Sequence, residues 1–289
     1  MLNHLTDIGR PDRSSAIIRQ ELAANGFVVV RNVLAADQVA TLRRAVKRHL
    51  KSAGWYNYGG KFQVQAMHAV PDVGKIMTSD RVLDLLQGIT APHDVMLTGE
   101  CDVMMNTTST WHKDITHHPL AAERRVFEDE TFRVYKIAFY LQDQDEHSRA
   151  TLKVRPRSHK MENGTDLPAK PAAVQAGDAV VFDIRIDHVG QFPSLSDKLI
   201  RRGFEKIAPR LHVDPQKAFS KARALLRWSH PHGPDRMAIF VTFGPSHEWT
   251  RAYASACDEV HAPVAASMSP DVLAHLASRG MSVLRSDAG

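Results

Sequence analysis

The chain is poor in cysteine and has no long apolar run. Two cysteines, Cys101 and Cys257, occur in 289 residues. That excludes a disulfide framework and a four-cysteine metal site, and it fits a reducing cytoplasm. Cys101 falls in a predicted core strand and reads as packing. No run of ~18 apolar residues occurs, so no membrane-spanning helix is expected. The segment Met1-Leu2-Asn3-His4-Leu5-Thr6-Asp7 lacks the basic stretch and apolar core of a secretory leader. No internal repeat or low-complexity tract stands out. Neither sign of charge dominates, since 37 Lys and Arg face 32 Asp and Glu for a net +5. The basic clusters Arg43 to Lys51 and Lys198 to Lys206 lack the interleaved aromatics of a nucleic-acid groove. They read as solvated surface that could attract a small anion. No nucleic-acid or membrane partner is expected, and the oligomeric state stays open.

What is present is one enzyme-sized unit, with 43% hydrophobic residues. The most pointed feature is Trp111-His112-Lys113-Asp114, followed 74 residues beyond Asp114 by His188. Residues i and i+2 of a strand share a side, so His112 and Asp114 can face one metal while Lys113 points away. His188 ends the apolar run 179–188. Two imidazoles and a carboxylate on one face of Fe(II) leave positions open for a co-substrate and O₂. Zinc is an alternative metal for such a donor set. A second His-x-Asp pair, His212-Val213-Asp214, sits in a polar, helix-like stretch and is set aside. His117 and His118 read as loop decoration, and Trp111 as packing.

The surroundings read as short strands. These are 95–105, 132–142, 151–155, 179–188 and 236–244, separated by turn signals at 156–160 and 176–178. Strands without alternating helices predict an antiparallel double-sheet barrel of the jelly-roll type, a double-stranded β-helix. Helices are expected at 13–24, at 35–51, at 79–86 with Ser79 as N-cap, and in two stretches after Glu248. The expected layout is a single domain over 1–289. It has N-terminal helices over about 13–90 and a jelly-roll core over about 90–245. A helical insertion over about 191–235 and C-terminal helices over about 248–285 complete it.

Several segments together resemble the phytanoyl-CoA dioxygenase-like group of Fe(II)/2-oxoglutarate oxygenases. They are Gly26-Phe27-Val28-Val29-Val30 through Leu34, the Trp-His-x-Asp run at 111–114, Leu152-Lys153-Val154-Arg155-Pro156-Arg157-Ser158-His159-Lys160, and Ala176-Gly177-Asp178 running into His188. The resemblance covers roughly residues 14 to 250. It implies that His112, Asp114 and His188 bind iron and that Arg236 grips the distal carboxylate of 2-oxoglutarate with its fork. O₂ and 2-oxoglutarate would be consumed to succinate and CO₂ while a small molecule is hydroxylated. Asp114 argues against chlorination, because chlorinating relatives carry a small residue there. Lys136 could present a cation to a 2-oxoglutarate or substrate carboxylate, against an outward-facing strand charge. Thr151 could donate to the 2-oxo acid. Arg157 stands where the family has glycine, and a positive φ there would be strained. Arg236 lies 48 residues beyond His188, whereas Arg201 and Arg202 sit at the family's usual distance. Arg236 is preferred because it opens a strong β run. The alternatives to a small-molecule hydroxylase are an oxygenase acting on nucleic acid or protein, and a non-catalytic metal-binding jelly-roll. The segment 55–68 and the insertion are the expected lids.

Overall fold

The computed structural model describes residues 11–122, 125–229, 235–261 and 268–283. The first seven residues read above, and the Cys257 side chain, lie outside the described parts. Along the chain come α1 (Pro11–Asn25), β1 (Phe27–Val30), α2 (Ala36–Ser52), β2 (Trp55–Asn57) and β3 (Gly60–Gln63). Then follow α3 (Ala66–Ala69), α4 (Pro71–Met77), α5 (Asp80–Thr90), β4 (Val95–Met105), α6 (Arg125–Glu128) and β5 (Tyr135–Tyr140). Next are β6 (Lys153–Val154), β7 (Lys170–Pro171), β8 (Ala179–Asp183), β9 (His188–Val189), α7 (Leu195–Ile207) and α8 (Pro215–Ser229). The chain closes with β10 (Met237–Pro245), α9 (Glu248–His261), α10 (Pro270–Ser278) and β11 (Ser282–Val283).

The major sheet runs β1-β8-β5-β10-β4-β3-β2, with β11 beside β4, and the minor sheet runs β7-β6-β9. His112 extends the minor sheet by bridging to His188. The chain thus alternates between sheets: β4, the His112 segment, β5, β6 and β7, β8, β9, then β10. That winding, with flanking helices, is the alternation expected of a double-stranded β-helix.

Both faces of the major sheet are buried, by different partners. Ile137, Phe139, Val181, Ile239, Val241 and Val103 pack against apolar residues of α2, α4 and α5. Ala138, Tyr140, Val180, Phe182 and Ala238 turn the other way and share a core with Leu152 and Val154 of the minor sheet. Alternation explains this division. Residues on the inner parity, including Glu100, Asp102, Lys136 and Thr242, point between the sheets.

Two sequence expectations change. The run 179–188 is not one strand. It pairs with the major sheet only through Asp183, turns with Ile186 N–H donating to Asp183 O, and rejoins the minor sheet at His188. Asp183 forces the turn by accepting from the Arg185 N–H and Nε, both at 2.9 Å. Ser79 stands at the N-cap of α5, but its hydroxyl donates to Ile76 O instead of accepting from the helix. Ser269 does cap α10, accepting from Val272 N–H at 3.3 Å.

The segment 55–68 begins as a hairpin, β2 and β3, that widens the major sheet. Gly60 permits it, because a Cβ there would strike the backbone of Met105, Asn106 and Thr107. The insertion is helical, α7 and α8. It docks on this hairpin: Gly59 N–H donates to Ser220 Oγ at 3.0 Å, and Arg223 donates to Gly59 O at 2.6 Å and to Asn106 O.

Candidate metal centre

His112, Asp114 and His188 come together at the open end between the sheets. Their ligand atoms lie within 4.8 Å of one another, a group that could hold a metal ion. Asp114 Oδ1 is 3.5 Å from the Nε2 of each histidine. Reciprocal backbone bonds of 3.0 and 2.9 Å clamp the two histidines side by side. His112 Nδ1 contacts Thr110 O at 2.7 Å and His188 Nδ1 contacts Ile186 O at 3.1 Å. A carbonyl only accepts, so both Nδ1 atoms carry a proton and both Nε2 atoms turn toward Asp114. Such carbonyl contacts set tautomer and ring angle in metal-binding histidines. The donor set therefore fits a divalent ion of the iron or zinc type.

The three groups differ in their electrostatics. Burial pushes His188 down to about 4, so it is a neutral, ligand-ready imidazole at physiological pH. Burial also opposes a charged His112, but Asp114 outweighs it and moves that group upward. Burial would raise Asp114, yet Lys136 and the two histidines hold it well below the ordinary carboxylate range. It is an ionised carboxylate.

Asp114 begins a 3₁₀ turn rather than continuing a strand. The i, i+2 relation still puts His112 and Asp114 on one side. Lys113 points away as predicted, but into protein. Its ammonium donates to Ser158 O and Arg185 O, both at 2.7 Å, and lies 3.4 Å from Asp187. Ser158 Oγ in turn accepts from Asp187 N–H at 2.7 Å. The turn at 156–160 is thus the clasp between the His112–Asp114 segment and the loop entering His188. His159 is buried against Gly26. Arg157 does adopt the left-handed region, φ 72°. That costs about 1–2 kcal/mol in a non-glycine residue. Trp111 packs, under Arg155 at 4.1 Å and edge-on to Phe192. His118 stacks on Tyr253 at 4.3 Å.

The remaining predicted residues separate. Arg236 immediately precedes β10 and is buried, with Nε donating to Ala150 O at 2.9 Å, and it lines the cavity that holds the triad. Arg201 and Arg202 lie exposed on α7, and Arg201 pairs with Glu205. Thr151 is fully buried, its hydroxyl donating to Asp145 O at 2.5 Å, and it is not among the cavity-lining residues. A donor role toward a 2-oxo acid does not fit, because its one proton is already committed. Lys136 is not an outward-facing charge. It shares the inner parity of Ala138 and Tyr140 and places Nζ 2.9 Å from Asp114 Oδ2.

The cavity has a volume of about 330 Å³. Besides the triad, Lys136 and Arg236, its lining includes Tyr58, Met104, Leu152, Phe182 and Phe240. Asp102 also lines it, unrecognised in the sequence. Its carboxyl is raised to about 7 by burial first and by Glu100 second. The available signal was two acids at i, i+2, Glu100 and Asp102, on an otherwise apolar core strand.

No curated protein sequence matches the chain significantly. Solved structures do match in fold. SnoN, described as a non-haem α-ketoglutarate-dependent epimerase from nogalamycin biosynthesis, superposes with TM-score 0.55 at 14% identity, covering 81% of this chain and 84% of SnoN. HygX from Streptomyces hygroscopicus, solved with nickel and 2-oxoglutarate bound, gives 0.53 at 13% identity over 81% of this chain and 87% of its own. AviO1 from Streptomyces viridochromogenes Tue57 gives 0.53 at 16% over 80% and 95%. The family described as phytanoyl-CoA dioxygenase (PhyH) matches residues 22–203. With that match spanning most of the chain, the protein belongs to the phytanoyl-CoA dioxygenase family of 2-oxoglutarate-dependent non-haem iron dioxygenases.

Proposed function

We propose that the protein hydroxylates a small molecule, using Fe(II), 2-oxoglutarate and O₂. The observation that carries this reading is the convergence of three ligand atoms, from His112, Asp114 and His188, on one wall of a cavity that Arg236 also lines. When bound, the metal and 2-oxoglutarate would supply oxidation of the substrate coupled to release of succinate and CO₂. The chain's own residues do the rest. His112 and His188, oriented by Thr110 O and Ile186 O, present their Nε2 atoms to the site. Arg236 offers a guanidinium in a buried setting, suited to two-pronged binding of a carboxylate. Tyr58, Met104, Leu152, Phe182 and Phe240 provide apolar wall that excludes water from the reacting face.

A cavity of about 330 Å³ supports a small-molecule substrate over a macromolecule. The basic surface lies on exposed helices, which does not favour a nucleic-acid groove. SnoN, described as an epimerase acting in nogalamycin biosynthesis, has the same fold, so the outcome must be read from the product. The test is anaerobic titration with Fe(II) and 2-oxoglutarate, followed by the visible charge-transfer band of the chelated 2-oxo acid. The band should vanish in His112→Ala, weaken in Arg236→Ala and persist in Arg202→Ala. Adding O₂ should then release succinate, and a product carrying one oxygen atom from ¹⁸O₂ marks hydroxylation. Absence of the band in a wild type that binds neither ligand would sink the reading.

A further inference from the structure

Asp114 divides its two oxygens. Oδ1 faces both histidine Nε2 atoms at 3.5 Å, and Oδ2 faces Lys136 Nζ at 2.9 Å. Lys136 is 8% exposed and the Asp114 side chain 14%, so the pair is largely shielded from solvent. The ammonium is held from its other side by Glu100 Oε2 at 3.5 Å. That same oxygen accepts from the Thr242 hydroxyl and from Tyr253 OH at 3.1 Å. Four elements therefore meet in one line of contacts: α9 through Tyr253, β10 through Thr242, β4 through Glu100 and β5 through Lys136. Tyr253 and Thr242 lie beyond the 22–203 segment that defines the family match.

The arrangement has a chemical consequence. A carboxylate with two free oxygens can pivot, or can give both to a metal and consume a position that a co-substrate needs. An ammonium 2.9 Å from one oxygen pairs with it through charge rather than through a directed hydrogen bond, and that favours the other oxygen for the metal. We propose that Lys136 is a positioning residue that restricts Asp114 to one-oxygen ligation through Oδ1, and that Glu100, steadied by Tyr253 and Thr242, fixes the lysine. This rests on the triad being a metal site. It replaces the reading in which Lys136 serves a co-substrate carboxylate, because its ammonium is already bracketed by two protein carboxylates.

The test uses the full-length metal-free protein with Co(II), titrated anaerobically by calorimetry and visible spectroscopy. Partners of metal ligands are worth about 10–100-fold in affinity, and Lys136→Met should weaken Co(II) by that amount. Its Co(II) bands should also lose intensity as Asp114 adds its second oxygen and the coordination number rises. Lys136→Arg should restore a spectrum close to wild type. Tyr253→Phe, a change of one hydroxyl, should shift affinity in the same direction by a few-fold, and it carries the test if Lys136→Met does not fold. Wild-type affinity and spectrum in Lys136→Met, or in Tyr253→Phe where that variant stands in, would overturn the proposal. So would loss of 2-oxoglutarate affinity at saturating Co(II) with Co(II) affinity unchanged. A wild type that does not bind Co(II), or whose binding survives His188→Ala, would instead sink the metal-site reading itself.

Discussion

The space between the sheets and the helical hairpin at 195–229 handle charge by opposite means. Inside, nearly every charge meets a partner: Lys136 with Asp114 and Glu100, Lys113 with Asp187, Arg185 with Asp183. Residues 195–229 hold nine Lys and Arg against three Asp and Glu, a net +6, whereas the whole chain carries +5, which leaves the remainder at −1. Most of those charges are solvated. The hairpin also exposes large apolar residues, with Leu195 79% and Leu199 68% accessible. Arg223, paired with Asp197 at 2.8 Å inside the hairpin, joins it to the barrel by donating to the carbonyls of Gly59 and Asn106. The lesson is a division of labour. The interior geometry is set by mutual constraint and suits fixed chemistry, while the hairpin is held through Ser220 and Arg223 of α8 and can vary elsewhere without disturbing the triad.

The sharpest way to separate the two regions is to delete a ligand. His188→Ala should abolish Fe(II) binding. The wild type should gain about 2.7 kcal/mol of stability at metal concentrations one hundred times Kd, and the variant should gain nothing in parallel melts. A comparable metal-dependent gain in the variant would place the metal elsewhere.

Next in size is the clip. Arg223→Ala leaves Asp197 buried without its cation, at a cost of about 3 kcal/mol. Limited proteolysis should then cut first within 195–229 while Co(II) affinity holds. Simultaneous loss of sheet and hairpin would show that the two regions fold as one.

Asp102 is the exception inside, with no hydrogen bond or ion pair among the described residues, its Oδ1 buried. Its folded-state value of about 7 lies above the ordinary 3.8. The native protein therefore keeps a proton that the unfolded chain has released. Stability of the metal-free protein should fall as pH rises from about 4 to 7 and level off above. Asp102→Asn should flatten that part of the slope. An unchanged slope in the variant would mean that another group titrates there.

The smallest effect is expected on the hairpin surface. Leu195→Ser with Leu199→Ser should change stability by no more than about 0.5 kcal/mol each. A larger loss would show that this face is covered in solution.

Some of this architecture was legible in residue order. The strand 95–105 was read with its observed bounds, and the spacing His112, Asp114, His188 identified three side chains that do meet. The fate of Lys136 was not legible. Strand β5 is apolar on both parities, because helices cover one face and the minor sheet the other, so alternation gives no sign of which side is inward. The break at Asp183 was hidden for a similar reason. Ile184 and Ile186 continue an apolar pattern, and the turn depends on Arg185 finding Asp183 and the carbonyls of Val126 and Phe132. Thr151 was misjudged because its nearest acceptor, Asp145 O, is brought up by a loop.

By itself, the sequence determined the strand-rich class, the donor set and the presence of a long helical interruption before Arg236. Those follow from local periodicity and from residue chemistry. Only the tertiary structure decided that the two histidines sit on paired backbones, that Arg236 and not Arg201 or Arg202 lines the cavity, and that a lysine from β5 holds the second oxygen of Asp114. Each of these depends on strands distant in sequence choosing neighbours. That choice is made by burial and pairing across the whole barrel rather than by any segment alone.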